Sequence, residues 1–164
     1  MKTINITKQT EIDAIINECD ICFVGINQTN AAPYVIPMNF GYHDNQIFLH
    51  SAPYGKHLNL LELDNKISIT FCLINKLVYQ HPEVACSYRM DSRSVVCSGV
   101  ITFIDNIHEK EKALNLIMQK FTDREFSYSL PALQNVKVWK VKIEEISSKA
   151  FGQKSKKNQS KLMT

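Results

Sequence analysis

The chain has 164 residues, of which 45% are hydrophobic, and it carries a formal net charge of +3. This length supports one hydrophobic core of ordinary size and is too short to divide comfortably into two domains. No apolar run approaches the roughly 18 residues of a membrane span, and the first residues, MKTINITKQTEID, lack the apolar stretch of a secretory signal. We therefore expect a cytoplasmic protein without a membrane segment.

Positive charge is concentrated at the C-terminus. Residues 152–164 contain four lysines and no acidic residue, so the rest of the chain has 15 basic against 16 acidic residues, a net charge of −1. We therefore predict a folded domain over 1–151 and a basic tail over 152–164. Such a tail is either a solvated terminus or a weak contact for an anionic surface.

The five cysteines are odd in number and widely spread, which argues against a disulfide framework. Cys19 and Cys22 form a CxxC pair that could supply half a zinc site or a redox pair. No second CxxC and no HxxxH completes a ligand set, so we predict no metal site. The simpler interpretation is the end of a helix that runs into a strand.

The first third of the chain predicts a helix and then an antiparallel meander. Thr10 and Asp13 have capping-box spacing before isoleucines at helical intervals, so residues 10–18 form a short helix. Asp44-Asn45 suits a tight hairpin between two strands. Runs rich in β-branched and aromatic residues predict these strands over 21–28, 33–42 and 46–51.

The remainder predicts a mixture of strands and helices. Residues 58–63 are helical, 66–74 alternate as a strand, and 84–104 have strand character in two segments divided near Asp91. Asp105 and Asn106 can cap a further helix. The apolar face of that helix is predicted to contain Ala113, Leu114, Ile117 and Phe121. The last strand is predicted over 136–146.

Together these elements predict a mainly β protein with helices, of the α+β class. Six antiparallel strands are expected to form a barrel or strongly curled sheet with flanking helices, because closure removes unpaired edges. Strands and helices do not alternate regularly, which disfavours a doubly wound parallel fold. No GxGxxG or GxxxxGK[ST] segment occurs, so the common nucleotide-binding loops are absent.

Residues 34–41, YVIPMNFG, place their larger side chains on one face of the predicted strand. The opposite, shallow face contains Val35, Pro37, Asn39 and Gly41. Pro37 has no N–H, so it is tolerated at an edge or bulge, where neighbouring backbone groups are free to bind a flat, polar-edged ring. An edge strand protected against aggregation explains the same residues without a ligand.

Residues 48–61, FLHSAPYGKHLNLL, pass from a strand through a turn into a helix. Free N–H groups and the helix dipole favour an anion at such a junction, and Gly55 permits close approach to the backbone. Ser51 offers a hydroxyl and Lys56 a positive charge, which suits a phosphate. Since a short hairpin joins the two strands, they should be adjacent and bind one ligand that has a planar ring and a phosphate.

The ordered segments IPMNFGY, IFLHSAPYGKHLNLL, SRSVVCSGVITFID and VWKVKIEEISSKA resemble the pyridoxamine 5'-phosphate oxidase-like flavoproteins, within them the 5-nitroimidazole resistance branch. The resemblance spans roughly residues 10–151 and implies a split β-barrel and a homodimer with FMN at the subunit interface. It also implies FMN contacts, largely through backbone on the predicted strand 33–42. The implied contacts are Pro37, Met38, Asn39, Phe40, His50, Ser51, Lys56, Arg93 and Ser94.

In activity, the resemblance implies an FMN-dependent oxidoreductase that passes electrons from NADH or NADPH to a small acceptor such as a nitro compound. His50 is the candidate catalytic residue, because a histidine can donate a hydrogen bond or a proton near neutral pH. Ser92 stands where the family commonly has tyrosine, and Ser148 near a common glycine, so the substrate preference stays open. The other histidines, His43, His57, His81 and His108, are predicted to lie at the surface.

Two other classes of function compete with this interpretation. The same barrel could hold flavin or haem without catalysis, for storage, sensing or carriage. A small nucleic-acid-binding barrel could instead stack bases on exposed aromatic residues and use the lysine tail for phosphates. The candidate platforms are Tyr34, Phe40, Tyr42 and Tyr54. The net charge of −1 on the body argues against nucleic acid as a partner.

Overall fold

The computed structural model describes residues 2–153 and contains, within that range, eight β-strands and four α-helices. The strands are β1 (Lys2–Ile6), β2 (Cys22–Ile26), β3 (Tyr34–Met38), β4 (Phe40–His43), β5 (Gln46–Ser51), β6 (Lys66–Val78), β7 (Arg89–Ile104) and β8 (Lys137–Gln153). The helices are α1 (Gln9–Glu18), α2 (Lys56–Leu63), α3 (Ile107–Met118) and α4 (Leu130–Gln134), and a 3-10 turn spans Ala85–Ser87. None of these helices is long and apolar enough to cross a membrane.

All strands pair antiparallel, in the order β3-β2-β6-β7-β8-β5-β4, with β1 added beside β8. The two ends of this order, β3 and β4, are consecutive in the chain and separated only by Asn39. The sheet therefore curls until its two ends meet at Asn39. This arrangement confirms the predicted α+β split barrel, with eight strands instead of six.

The two extra strands have separate causes. The predicted strand 33–42 divides at Asn39, because β3 pairs with β2 whereas β4 pairs with β5. The N-terminal residues 2–6, for which we predicted no element, pair with the last part of β8. The predicted adjacency of the second and third strands therefore holds for β4 and β5 and was wrong for β3. Pro37 does lie in an edge strand, where its missing N–H leaves no ladder bond unmade.

Of the three predictions made from turn and helix-capping residues, two are confirmed and one was wrong. Asp44 and Asn45 have φ of 48° and 57°, which confirms the tight hairpin between β4 and β5. Asn106 caps α3, and its side-chain oxygen accepts from the N–H of Glu109 at 3.1 Å. The predicted cap at Thr10 was wrong, because α1 begins one residue earlier without a side-chain cap.

Three further predictions need correction. β7 is continuous through Asp91, and the irregularity lies in β6, whose register shifts between Ile74 and Lys76. Phe121 lies beyond the end of α3 and is 48% exposed, so it does not belong to the apolar face. β8 continues through Gln153, so the boundary predicted after residue 151 falls within a strand. The four tail lysines lie outside the described residues.

The core lies inside the curled sheet, where Trp139, Phe40 and Phe71 are the largest fully buried side chains. Gly41 was predicted on the shallow outer face and is instead buried under α3. A Cβ at this position would lie 2.9 Å from backbone atoms of Leu116 and Ile117. The missing side chain therefore lets α3 cross directly over β4, close to the point where the barrel closes.

Candidate functional site

A groove of about 440 Å³ opens where the two ends of the sheet meet. It is lined by Ile21, Ile36, Pro37, Met38, Asn39 and His50. The fold brings these residues together because the chain crosses at Asn39 from β3 to β4, and β5 lies beside β4. Sequence reasoning missed Ile21 and Ile36, since Ile21 reaches the groove only through the pairing of the next residue, Cys22, with Met38.

The residues of the predicted ring-binding strand differ in how far they are exposed at this groove. Pro37 and Asn39 are exposed and Met38 is half-buried, whereas the side chain of Phe40 is fully buried. The ring of Phe40 packs edge-on against Phe71 with 4.8 Å between centroids. A ligand in the groove can therefore reach Phe40 only through its main chain.

The predicted phosphate turn lies at the start of α2. Its N-cap residue is Gly55, at φ 134° and ψ 170°, and no side chain caps the helix. The first N–H groups of a helix have no partner within it, so they are open to an anion. The Nζ of Lys56 lies 4.7 Å from the ring centroid of Tyr34, the first residue of β3. The lysine charge is thus beside the strand that lines the groove.

Two residues of the turn have partners within the chain. The hydroxyl of Ser51 donates a hydrogen bond to the carbonyl oxygen of Ala52 at 2.8 Å. The lone pairs of the hydroxyl oxygen remain free to accept a hydrogen bond. His57 was predicted to be a surface residue, but it is half-buried and its ring lies 5.5 Å from that of Trp139. The close approach of an anion predicted at Gly55 stays a prediction, and in the structure the ring of His57 packs against Gly55 on the side where a side chain would lie.

Arg93 and Ser94 are not brought to the groove within one chain. They lie on β7, which β2 and β6 separate from β3. The cross-strand row Pro37–Phe23–Thr70–Val96 spans three strand spacings, or about 14 Å. Successive residues of a strand also point to opposite faces, so only one of the two can face the outside of the sheet.

His50 is positioned at the groove by its place near the end of β5. It is exposed along the groove, yet desolvation by neighbouring atoms lowers the pKa of its imidazole below the ordinary value. The ring is therefore neutral at pH 7, with one nitrogen that donates and one that accepts a hydrogen bond. Such a ring can orient a polar ligand edge and exchange a proton with it.

The lowered pKa values of His50 and His57 predict a pH-dependent stability. Burial lowers both from 6.5, so below about pH 6.5 the unfolded chain binds more protons than the folded one. The free energy of unfolding should therefore decrease as the pH falls through this range. In a His50→Gln/His57→Gln variant, urea unfolding between about pH 5 and 7 should show a smaller decrease. An unchanged dependence would contradict this assignment.

The CxxC pair occupies the junction predicted for it. Cys19 is the C-cap of α1 and Cys22 the first residue of β2. Burial raises the pKa of Cys22 to about 12, so its thiol is protonated and unreactive at neutral pH. The thiol lies 3.6 Å from the carbonyl oxygen of Met38, behind the groove. The cysteines are free, and residues 2–153 contain no group of three metal-ligating side chains that could hold an ion.

The aromatic platforms required for nucleic-acid stacking are only partly available. Phe40 is fully buried, and the half-buried Tyr42 donates its hydroxyl to Asp13 at 2.7 Å. Tyr34 lies beside Lys56, and only Tyr54 is widely exposed, at 77%. Three of the four candidate platforms are therefore buried or in contact with other side chains, which does not favour the stacking of successive bases along them.

The sequence and the fold of the chain match a known protein family. The profile of the Pyridoxamine 5'-phosphate oxidase family matches residues 8–150. The chain belongs to this family. A proposed 5-nitroimidazole antibiotic resistance protein from Bacteroides thetaiotaomicron is 47% identical, with a TM-score of 0.83 over 91% of this chain and 87% of that one. The predicted family and its nitroimidazole resistance branch are thus confirmed. No curated protein matches the chain.

Two solved structures of lower sequence identity share the fold. A flavocytochrome from Azotobacter vinelandii is 20% identical, with a TM-score of 0.79 over 95% of this chain and 74% of its own. A protein from Mycobacterium smegmatis that binds FAD and haem is 14% identical, with a TM-score of 0.80 over 96% of this chain and 79% of its own. Because these sequence identities are low, the similarity shows the fold alone. This member of the pyridoxamine 5'-phosphate oxidase family and the two proteins share the split barrel.

Proposed function

We propose that this family member is an FMN-dependent oxidoreductase. The observation that carries the proposal is the position of strand β3. One end of β3 lines the groove with Pro37 and Met38, and the residue at its other end, Tyr34, is in contact with Lys56 at the uncapped start of α2. A planar ring and a phosphate on one ligand fit this pair of features.

The groove suits a flavin ring in both size and chemistry. Its volume of about 440 Å³ falls within the range of roughly 300 to 1,000 Å³ that is usual for ligand pockets. Ile21 and Ile36 provide apolar contacts, while Asn39 provides an amide that can donate and accept hydrogen bonds. Pro37 and Met38, which line the groove, would contact the ring largely through their main chain, as the family resemblance implies.

The phosphate would bind at the turn before α2. The N–H groups at the helix start and the ammonium of Lys56 are the donors available there. The hydroxyl of Ser51 can join them by rotating away from the carbonyl oxygen of Ala52. Gly55 contributes by its φ of 134°, which residues with a side chain rarely adopt. Arg93 and Ser94 would take part only through a second subunit.

FMN, when bound, supplies the redox chemistry, taking hydride from NADH or NADPH and giving electrons to a small acceptor such as a nitro compound. The protein places these partners and excludes water. His50 is the residue we assign to proton transfer, because its imidazole lines the groove and can take up a proton from water and pass it to the reduced acceptor, returning to the neutral form. The nitro acceptor is suggested by the relative from Bacteroides thetaiotaomicron.

We further propose that the protein is a cytoplasmic homodimer with the flavin at the subunit interface. The outer face of the sheet beside the groove exposes large apolar side chains, with Val35 at 56%, Phe23 at 43% and Val96 at 39%. A cluster of exposed apolar side chains of this kind is typical of an interface. Sedimentation equilibrium should give twice the chain mass of 18.8 kDa. A monomer that still binds flavin would contradict the interface.

Turnover distinguishes an enzyme from a carrier. The purified protein should oxidise NADH or NADPH in the presence of FMN and a nitroimidazole, and His50→Ala should reduce the rate by about 10²-fold or more with little change in flavin affinity. His108→Ala, an exposed histidine on α3, is the matched control. Flavin or haem binding with no turnover for any acceptor would favour a non-catalytic binder, as the flavin- and haem-binding relatives suggest.

A further inference from the structure

His57, the second residue of α2, contacts both ends of the turn that precedes the helix. A Cβ at Gly55 would lie 2.9 Å from Cε1 and 3.1 Å from Nδ1 of the imidazole, so the ring packs directly against the backbone there. Burial lowers the pKa of His57, and a hydrogen bond with the backbone of Ala52 opposes that shift. One side chain therefore touches residues 52 and 55, which bound the turn.

The hydrogen bond also defines which ring nitrogen carries the proton. Within residues 2–153, the buried Nε2 of His57 has no hydrogen-bond partner, so the bond to Ala52 is made by Nδ1. A bond that raises the pKa of a histidine is one in which the ring donates to a carbonyl. We therefore assign the proton of the neutral ring to Nδ1, directed at the carbonyl oxygen of Ala52.

The same carbonyl has a second donor. The hydroxyl of Ser51 reaches the oxygen of Ala52 at 2.8 Å. Ser51 is one of the groups proposed to contact the phosphate, and its single proton can reach a phosphate oxygen only when the hydroxyl rotates away from this carbonyl. His57 thus acts on the orientation of Ser51 through the Ala52 carbonyl, and on the first N–H groups of α2 through Gly55.

The other side of the ring is held by the core. Trp139, on β8, is fully buried and lies 5.5 Å from His57 with 30° between the ring planes. Its Nε1 also lacks a partner within the described chain. Aromatic contacts of this kind add specific geometry to burial. The imidazole is therefore fixed between an immobile tryptophan and the turn.

We propose that His57 is a positioning residue for phosphate recognition, which holds the turn 52–55 against Trp139 so that Ser51 and the start of α2 stay arranged for the phosphate of a flavin nucleotide. This inference rests on the proposed function. His57 itself does not touch the ligand in this scheme. A substitution of His57 should therefore weaken the binding of FMN and leave the binding of riboflavin unchanged, because riboflavin has the same ring and no phosphate.

The test compares the dissociation constants of FMN and riboflavin, measured by flavin fluorescence. His57→Phe keeps a ring against Trp139 but loses the donor, and should weaken FMN binding about tenfold while riboflavin binding is unchanged. His57→Asn keeps an N–H close to the position of Nδ1 and should retain most of the FMN affinity. His108→Phe changes the second residue of α3, which is exposed, and should alter neither constant.

The outcomes separate this inference from the proposed function. Equal loss of both ligands in His57→Phe, or no loss of FMN affinity, would overturn the positioning role. If His57→Phe does not fold, as judged by the emission of the single tryptophan, His57→Gln replaces it, because its amide mimics Nε2 and cannot donate to Ala52. A wild-type protein that binds neither flavin would instead refute the proposed function.

Discussion

Lys56→Ala should weaken FMN binding by about 30-fold at low ionic strength, with riboflavin binding unchanged. A hydrogen bond to a charged group contributes roughly 1.5 to 3 kcal/mol, and we expect the lower part of this range because Lys56 is exposed. The lost attraction is screened by salt, so the difference from wild type should narrow as the ionic strength rises. Calorimetric titration of both ligands at two salt concentrations measures these effects.

Lys112→Ala is the control for this prediction. Lys112 is an exposed lysine on α3 and lines a different cavity, so its removal changes the net charge by the same amount without touching the turn. Both FMN and riboflavin should bind Lys112→Ala as they bind the wild type. Full FMN affinity in Lys56→Ala would show that the phosphate does not bind at this helix start.

Gly99→Ala should destabilise the fold by about 3 kcal/mol or more. A Cβ at Gly99 would lie 2.1 Å from the carbonyl oxygen of Lys142 and 3.1 Å from its carbon. The obstacle is backbone of β8, where the register shifts so that Ser98 faces Glu145 and Gly99 faces Ile143. The methyl group can be accommodated only by breaking the longest strand pair of the barrel. Urea unfolding followed by tryptophan emission gives the change in free energy.

Gly25→Ala provides the comparison for Gly99→Ala, since it adds the same methyl group to another strand. A Cβ there would meet Ser68 at 3.5 Å or more, which is an ordinary contact. Gly25→Ala should therefore change the free energy of unfolding by less than about 1 kcal/mol, in either direction. Similar losses for the two variants would mean that the close approach at Gly99 does not carry the effect.

Elements defined by local chemistry could be predicted from the sequence. The cap at Asn106 and the hairpin at Asp44-Asn45 depend on side chains and φ angles within a few residues. The strand-turn-helix segment around Lys56 was found for the same reason. These signals need no knowledge of which strands pair, so a single sequence is sufficient for them.

Features set by strand pairing could not be predicted in the same way. Residues 33–42 have continuous strand character, and the division at Asn39 follows only from the different partners of β3 and β4. Ile21 lines the groove because the next residue, Cys22, pairs with Met38 of β3. Arg93 and Ser94 appear close to the site in the family pattern, but three strand spacings separate β7 from β3 in one chain.

The role of His57 was hidden by its polar neighbours in the sequence. A histidine at the start of a helix, next to Lys56 and two residues before Asn59, has the pattern of an exposed residue. Its burial depends on Trp139, which is 82 positions later in the chain and lies behind the turn because β8 pairs with β5. Long-range packing of this kind leaves no periodic signal in the sequence.

The most direct test of the account is a calorimetric titration of the purified wild-type protein with FMN, accompanied by an absorption spectrum. We predict saturable binding of one FMN per chain and flavin bands near about 370 and 450 nm that remain with the protein after gel filtration. A colourless protein that gives no binding heat with FMN would contradict the claim that β3 and the turn before α2 form one site for a phosphorylated flavin.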